Sequence, residues 1–166
     1  MIIQNAATLH LRENARLIVD ATSTLIIDAG AIINLQSAGS KIRIEGTLVI
    51  NGDFNFTGLG YFEFATGNDL VYGSGYNTFR LEGAGTTHRF IRIDHAELKV
   101  PAGKNIMLVS GAVEYAGGSS LYLEAGSGGD FISTQFYNRG APCIQGLGAG
   151  SGYVRECIFD NVDHVM

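Results

Sequence analysis

The sequence predicts an all-β fold, a single-stranded right-handed parallel β-helix (β-solenoid) of about seven coils of ~23 residues, with residues 1–166 as one domain. Three observations predict it. From Phe90 onward the chain repeats: Phe90, Val113, Phe136 and Phe159 recur every 23 residues, as do Leu108, Phe131 and Val154, and Leu98, Leu121 and Ile144. Apolar residues returning at one interval of ~20 to 50 residues mark units that bury their apolar faces only by stacking on neighbours. Before that repeat, the chain is a series of short β-rich runs with nothing helical between them. Glycine, at 23 of 166 residues, is about twice its usual ~7% share, which suits a chain that turns every few residues.

Taken in order, TLHL, RLIV, TLII, AIINL, KIRI, TLVI, DFNF and YFEF between Thr8 and Phe64 read as strands of four or five residues. No gap between them holds a crossover helix, which excludes βαβ units. Hairpins would fit the short turns but do not explain a constant column. The period is looser here: Leu25, Leu48 and Val71 keep it, as do Ile33, Phe56 and Phe79, while Leu9 to Ile33 takes one extra residue, absorbed in a turn. The preference for right-handed crossovers sets the expected hand. GNDLVYGSGYNT and LEGAGTTHR, around Gly73, Gly75, Gly83 and Gly85, read as larger outward loops able to carry a binding surface.

Composition narrows the function classes. A content of 46% apolar and 16% charged residues excludes a disordered chain. A net charge of −5 with scattered Lys and Arg argues against nucleic-acid binding. No apolar run approaches the ~18 to 20 residues that span a bilayer, so no membrane insertion is expected. The N-terminus carries no signal peptide pattern. Either the chain is not exported by that route or it is a mature segment of a longer protein, and the second is the expectation. Cys143 and Cys157 read as two buried thiols used as small hydrophobes, with no CxxC or His/Cys cluster beside them for a metal.

The densest chemistry lies in residues 88–99, where His88, Arg89, Arg92, Asp94, His95, Glu97 and Lys99 supply acids, bases and cations. If Ile91, Ile93, Leu98 and Val100 point inward, alternation sends Arg92, Asp94 and Lys99 outward as a solvated strand face. The Asp94-His95 pair returns as Asp163-His164 three coils on, too far away to share a metal ion. Tyr61, Tyr72 and Tyr76 could stack on a sugar or serve as packing residues. Thr24 and Thr47 open a possible ice-binding row, which fails at Leu70. No GxSxG elbow or Walker loop occurs.

The C-terminal segments FISTQFYNRGAPCIQG and GSGYVRECIFDNVDHV carry a family resemblance. Cys157-Ile158-Phe159-Asp160-Asn161 resembles the coil ending of the right-handed parallel β-helix repeat of pectate-lyase-like surface proteins, and Gln135-Phe136-Tyr137-Asn138 resembles it without the cysteine. The resemblance implies that Asn138 and Asn161 stack as a ladder at a turn. It also implies two kinds of activity. One is a non-catalytic structural module of an extracellular, cell-surface or phage-appendage protein, without cofactor. The alternative is a polysaccharide lyase or hydrolase fragment, in which Arg92, Asp94 and His95 would act, with Ca²⁺ held by acids, or a glycan-binding module. Adjacent Asp-Asp, Gly-His-Gly and Arg-Ile-Lys, as in polygalacturonase-like hydrolases, do not occur. Neither terminus carries an evident cap, so stacking is expected to continue, either into a longer chain or end to end on another copy.

Overall fold

The computed structural model describes residues 1–65, 70–137, 144–146 and 152–160. These wind as a parallel β-solenoid of about six turns, with no helix. Three strands make each rung. The first rung holds β1 (Ile2–Ile3), β2 (Thr8–Leu11) and β3 (Arg16–Val19), and the second holds β4 (Thr24–Ile27), β5 (Ile32–Leu35) and β6 (Lys41–Ile44). The third holds β7 (Thr47–Ile50), β8 (Asn55–Gly58) and β9 (Tyr61–Phe64), and the fourth β10 (Leu70–Tyr72), β11 (Thr78–Glu82) and β12 (Arg89–Asp94). The fifth holds β13 (Glu97–Val100), β14 (Asn105–Val109) and β15 (Ala112–Ala116), and the sixth β16 (Ser120–Leu123), β17 (Gly128–Ile132) and β18 (Gln135–Tyr137). The seventh holds β19 (Ile144–Gly146), β20 (Gly152–Arg155) and β21 (Ile158–Asp160). Seven rungs are joined by six turns, which reconciles the seven coils expected with the six turns seen.

One wall is continuous, a seven-stranded sheet in the order β21-β18-β15-β12-β9-β6-β3. The other two walls are each split. One is β1-β4-β7-β10 and then β13-β16-β19; the other is β2-β5-β8 and then β11-β14-β17-β20. Six residues, 83–88, connect β11 to β12, where two residues serve the equivalent corner of the next rung, Ser110 and Gly111. This longer corner lets β11 stand off from β8 while β12 still pairs with β9.

Alternation along each strand builds the core. In β6, β7 and β13 the second and fourth residues are buried and the first and third half-exposed, as a pleat with one face on a core requires. Leu25 pairs with Leu48, Leu98 with Leu121 and then Ile144, and Leu108 with Phe131 and then Val154, as the 23-residue columns predict. Phe136 stacks on Phe159 at 5.1 Å and meets Phe131 edge-on at 5.4 Å.

Three expectations change. The column through Leu48 continues to Leu70, and Val71 is exposed on the outside, because that step is one residue shorter. Opposite Val113 stands Ile91, and Phe90 sits beside it in a register shift between Arg89 and Ile91, so the column reads Ile91, Val113, Phe136, Phe159. Both Phe90 and Ile91 are buried, which a bulge permits and strict alternation does not. Leu70–Tyr72, expected within a loop, is a strand, and the strand Thr78–Glu82 around the predicted column residue Phe79 extends into the ends of both expected loops; glycines on either side hide these short β runs in the sequence.

Corners repeat as faithfully as strands. Ser110, Ser133 and Glu156, one per rung, each take a left-handed conformation with φ of 51°, 47° and 54°. The next corner residue turns inward. The Thr134 hydroxyl donates to Leu108 O at 2.9 Å, and one rung later the Cys157 thiol donates to Phe131 O at 3.2 Å. Cys157 is a free, partly buried thiol that packs against the core and also takes over a hydroxyl's corner bond. Asn138, Asn161, Cys143, Asp163 and His164 lie outside the described residues.

Candidate functional site

The 88–99 cluster divides: Arg89, Arg92 and Asp94 lie on β12 in the continuous sheet, Glu97 and Lys99 on β13 in the neighbouring wall, and His88 and His95 at the corners before and after β12. Ile91, Ile93, Leu98 and Val100 are buried, and Arg92, Asp94 and Lys99 face outward half-exposed, as alternation predicts. Parallel pairing then lines up side chains from successive rungs: Arg43 opposite Glu63, Glu63 opposite Arg92, Arg92 opposite Glu114, and Glu114 opposite Tyr137. The file alternates in sign. Glu63, 2% exposed, receives Lys41 Nζ at 2.5 Å and an Arg43 guanidinium N–H. Arg92 lies 3.8 Å from Asp94 and 3.9 Å from Glu114, and Arg89 donates to Glu114. Arg43 bonds Glu45 at 2.6 Å and approaches Asp94 at 3.8 Å.

Burial by itself would raise the Glu63 carboxyl pKa; hydrogen bonds and charge from Lys41 and Arg43 outweigh it and hold the group below its ordinary value of 4.5. Arg43 is held charged more firmly than usual, chiefly by its hydrogen bond to Glu45. Each charge in the file is thus matched by a neighbour on its own rung or the next.

Of the residues a lyase would use, Arg92 and Asp94 are therefore engaged with each other and with Glu114 and Arg43. His95 sits apart at a corner, 75% exposed, with φ of 55° and its Nδ1 2.9 Å from Asp94 Oδ1. Its ring lies over Gly117, where a Cβ would come within 2.3 Å of it. Among the described residues no three His, Cys, Asp or Glu side chains converge on a point able to hold a metal ion.

The tyrosines are built into the walls. Tyr61 is 6% exposed beneath the Arg89 guanidinium, which stacks 3.8 Å from its ring centre and leaves no face for a sugar. Tyr72 and Tyr76 stack at 6.4 Å; Tyr72 donates to Asn105 O at 2.9 Å and Tyr76 to Asp53 Oδ1 at 3.0 Å. Burial pushes both phenols well above their ordinary pKa. Lys104 closes this group by donating to Tyr76 O and Asn77 Oδ1.

The sequence does not reveal the cleft of about 630 Å³ where β8 and β11 part. Phe54 and Phe56, half-buried members of the core, reach the surface there. Two bridges fix its ends. At the start of the two strands stands the Tyr76–Asp53 bond. Past their far ends, His88 accepts the Ala84 N–H on Nδ1 at 3.1 Å, which leaves Nε2 to donate to Gly60 O at 3.2 Å. The signal that could have located it is the length of the 83–88 corner.

Comparison of the chain with family models, with curated proteins and with solved structures finds no match.

Proposed function

We propose that this chain is a non-catalytic structural module of the pectate-lyase-like β-helix type, a stiff segment of an adhesin, stalk or fibre on a cell surface or a phage appendage. The observation that supports it is the file of alternating charge from Arg43 to Glu114. Of the polar residues that a lyase would aim at a sugar, Arg92 is braced by Asp94 on its own strand and by Glu114 on the next rung, and Asp94 also by Arg43. A rod under lateral load gains from such bracing, and an active site loses from it, because its acids and bases must be free to reach a substrate.

Continuity along the axis belongs to the same reading. The first rung leaves the backbone edges of β1, β2 and β3 unpaired on one side, with Met1 and Ile2 exposed and Leu9, Leu11 and Leu17 half-covered. A further rung from a second copy would cover this edge.

The test is a screen against acidic and neutral polysaccharides with and without Ca²⁺, run on the wild type, Arg92→Ala and Asp94→Ala. The expected result is no turnover by any of the three and a lower melting temperature for both variants. Turnover by the wild type that either substitution abolishes would overturn the proposal. Sedimentation across a concentration series, with negative-stain imaging, checks the stacking: rods that lengthen with concentration are expected, and a monomer at every concentration sinks end-to-end association.

A further inference from the structure

We infer that the cleft between β8 and β11 is a docking slot for an extended, uncharged peptide segment, which enters as an additional parallel or antiparallel strand. The main chain carries the inference. In a strand, alternate residues turn their N–H and C=O to opposite neighbours. In β8, Asn55 N–H bonds Ala31 O and Leu59 N–H bonds Leu35 O, so the odd-numbered residues serve β5 and Phe56 is aimed at the cleft. In β11, Asn105 N–H bonds Asn77 O and Gly83 N–H bonds Val109 O, so the odd-numbered residues serve β14, and Thr78, Arg80 and Glu82 are aimed at the cleft from the other side. No ladder joins the two strands. Two parallel edges thus face each other with their hydrogen-bonding groups open, an arrangement that strand addition completes.

The slot is also held open. The Tyr76–Asp53 and His88–Gly60 bonds pin the third and fourth rungs together at its ends, while β9 and β12 keep their ladder on the continuous wall. An inserted strand would join the three strands β2-β5-β8 to the four strands β11-β14-β17-β20 in one sheet. The peptide's chemistry follows from the two faces. Its inward side chains meet Phe54 and Phe56, which favours apolar residues there. Its outward side chains lie beside Asn55, Thr57 and the Arg80–Glu82 pair, which is already neutralised at 3.0 Å, so small polar residues fit. A sugar is disfavoured because the polar side chains it would need are occupied: Asp53 by Tyr76, His88 by two backbone groups and Arg80 by Glu82.

The experiment uses the full chain and fluorescein-labelled pentapeptides alternating Thr with Leu, Val or Phe, with a Gly-Ser pentapeptide as control. Anisotropy reads affinity, and amide hydrogen exchange by NMR reads location. Saturable binding of an alternating peptide, absent for Gly-Ser, is expected, with slower exchange of the Phe56, Thr78, Arg80 and Glu82 amides. Arg80→Pro removes one slot-facing N–H without touching the β14 ladder and is expected to weaken binding about tenfold, whereas Arg80→Ala keeps it. The inference is overturned if no alternating peptide binds, if protection falls elsewhere, or if an oligosaccharide protects these amides in place of a peptide. Should Arg80→Pro fail to fold, the exchange pattern of the wild type decides alone.

Discussion

At the scale of single residues, the corners and the outer file hold the decisive groups. Thr134 is fully buried, and its hydroxyl bonds Leu108 O and Ile132 O at 2.9 and 3.1 Å. Thr134→Val keeps the shape and deletes these bonds, so urea unfolding is expected to show a loss of about 1 kcal/mol. Thr134→Cys should lose less, because Cys157 makes the same bond one rung on. Glu63 bears on pH. Its folded-state pKa lies below 4.5, so its stabilisation is complete above about pH 4.5 and fades as pH falls through the lower folded value. Glu63→Gln should cost about 2 kcal/mol at pH 7, less than the ~3 to 5 of a fully buried pair because Lys41 and Arg43 reach solvent. The gap between wild type and Glu63→Gln should shrink in melting scans taken from pH 6 down to pH 3. A constant gap over that range would show that the carboxylate's charge is irrelevant.

At the scale of elements, the bulge at the head of β12 decides how the fourth rung closes. Phe90 fills the corner beneath Gly111, where an added Cβ would stand 2.7 Å from its ring. Gly111→Ala is therefore expected to push the ring and destabilise the chain by roughly 1 to 3 kcal/mol. Gly111→Ala combined with Phe90→Leu should recover part of that loss; chemical denaturation of the two variants compares them, and equal midpoints would place the strain elsewhere. The same region shows what the sequence could disclose. The runs from Thr8 to Phe64 became strands with few changes, and the Leu98 and Leu108 columns kept register, because a constant step reports directly on inward side chains. Ile33, Phe56 and Phe79 kept that step too, yet β8 and β11 share no ladder. Periodicity sees where side chains point and not whether backbones bond, so the slot was illegible. The outward face of Arg92 and Asp94 was readable from alternation. Their partners were not, since the step is 20 from Arg43 to Glu63 and longer than 23 from Glu63 to Arg92.

At the scale of the whole molecule, a solenoid's stability is close to a sum of rung stabilities and nearest-neighbour couplings, so its weakest junction sets how cooperatively it unfolds. Most junctions carry three ladders. One is missing between the third and fourth rungs, on the slotted wall, and one between the fourth and fifth on the opposite wall, where β10 and β13 share no ladder. What joins the rungs on either side of the slot is the β7–β10 and β9–β12 ladders, the Phe54–Phe79 stack at 6.2 Å and the two pins at its ends. The blocks on either side should then melt as partly independent units. Calorimetry is expected to give a van't Hoff enthalpy below the calorimetric one, the mark of a transition that is not all-or-none. Tyr76→Phe removes one pin and should widen the separation further. An enthalpy ratio of one for the wild type would mean that two ladders per junction are enough to couple all seven rungs. In that case a peptide in the slot would have no block motion left to suppress, whereas partly independent blocks should draw together into a single transition when the slot is filled.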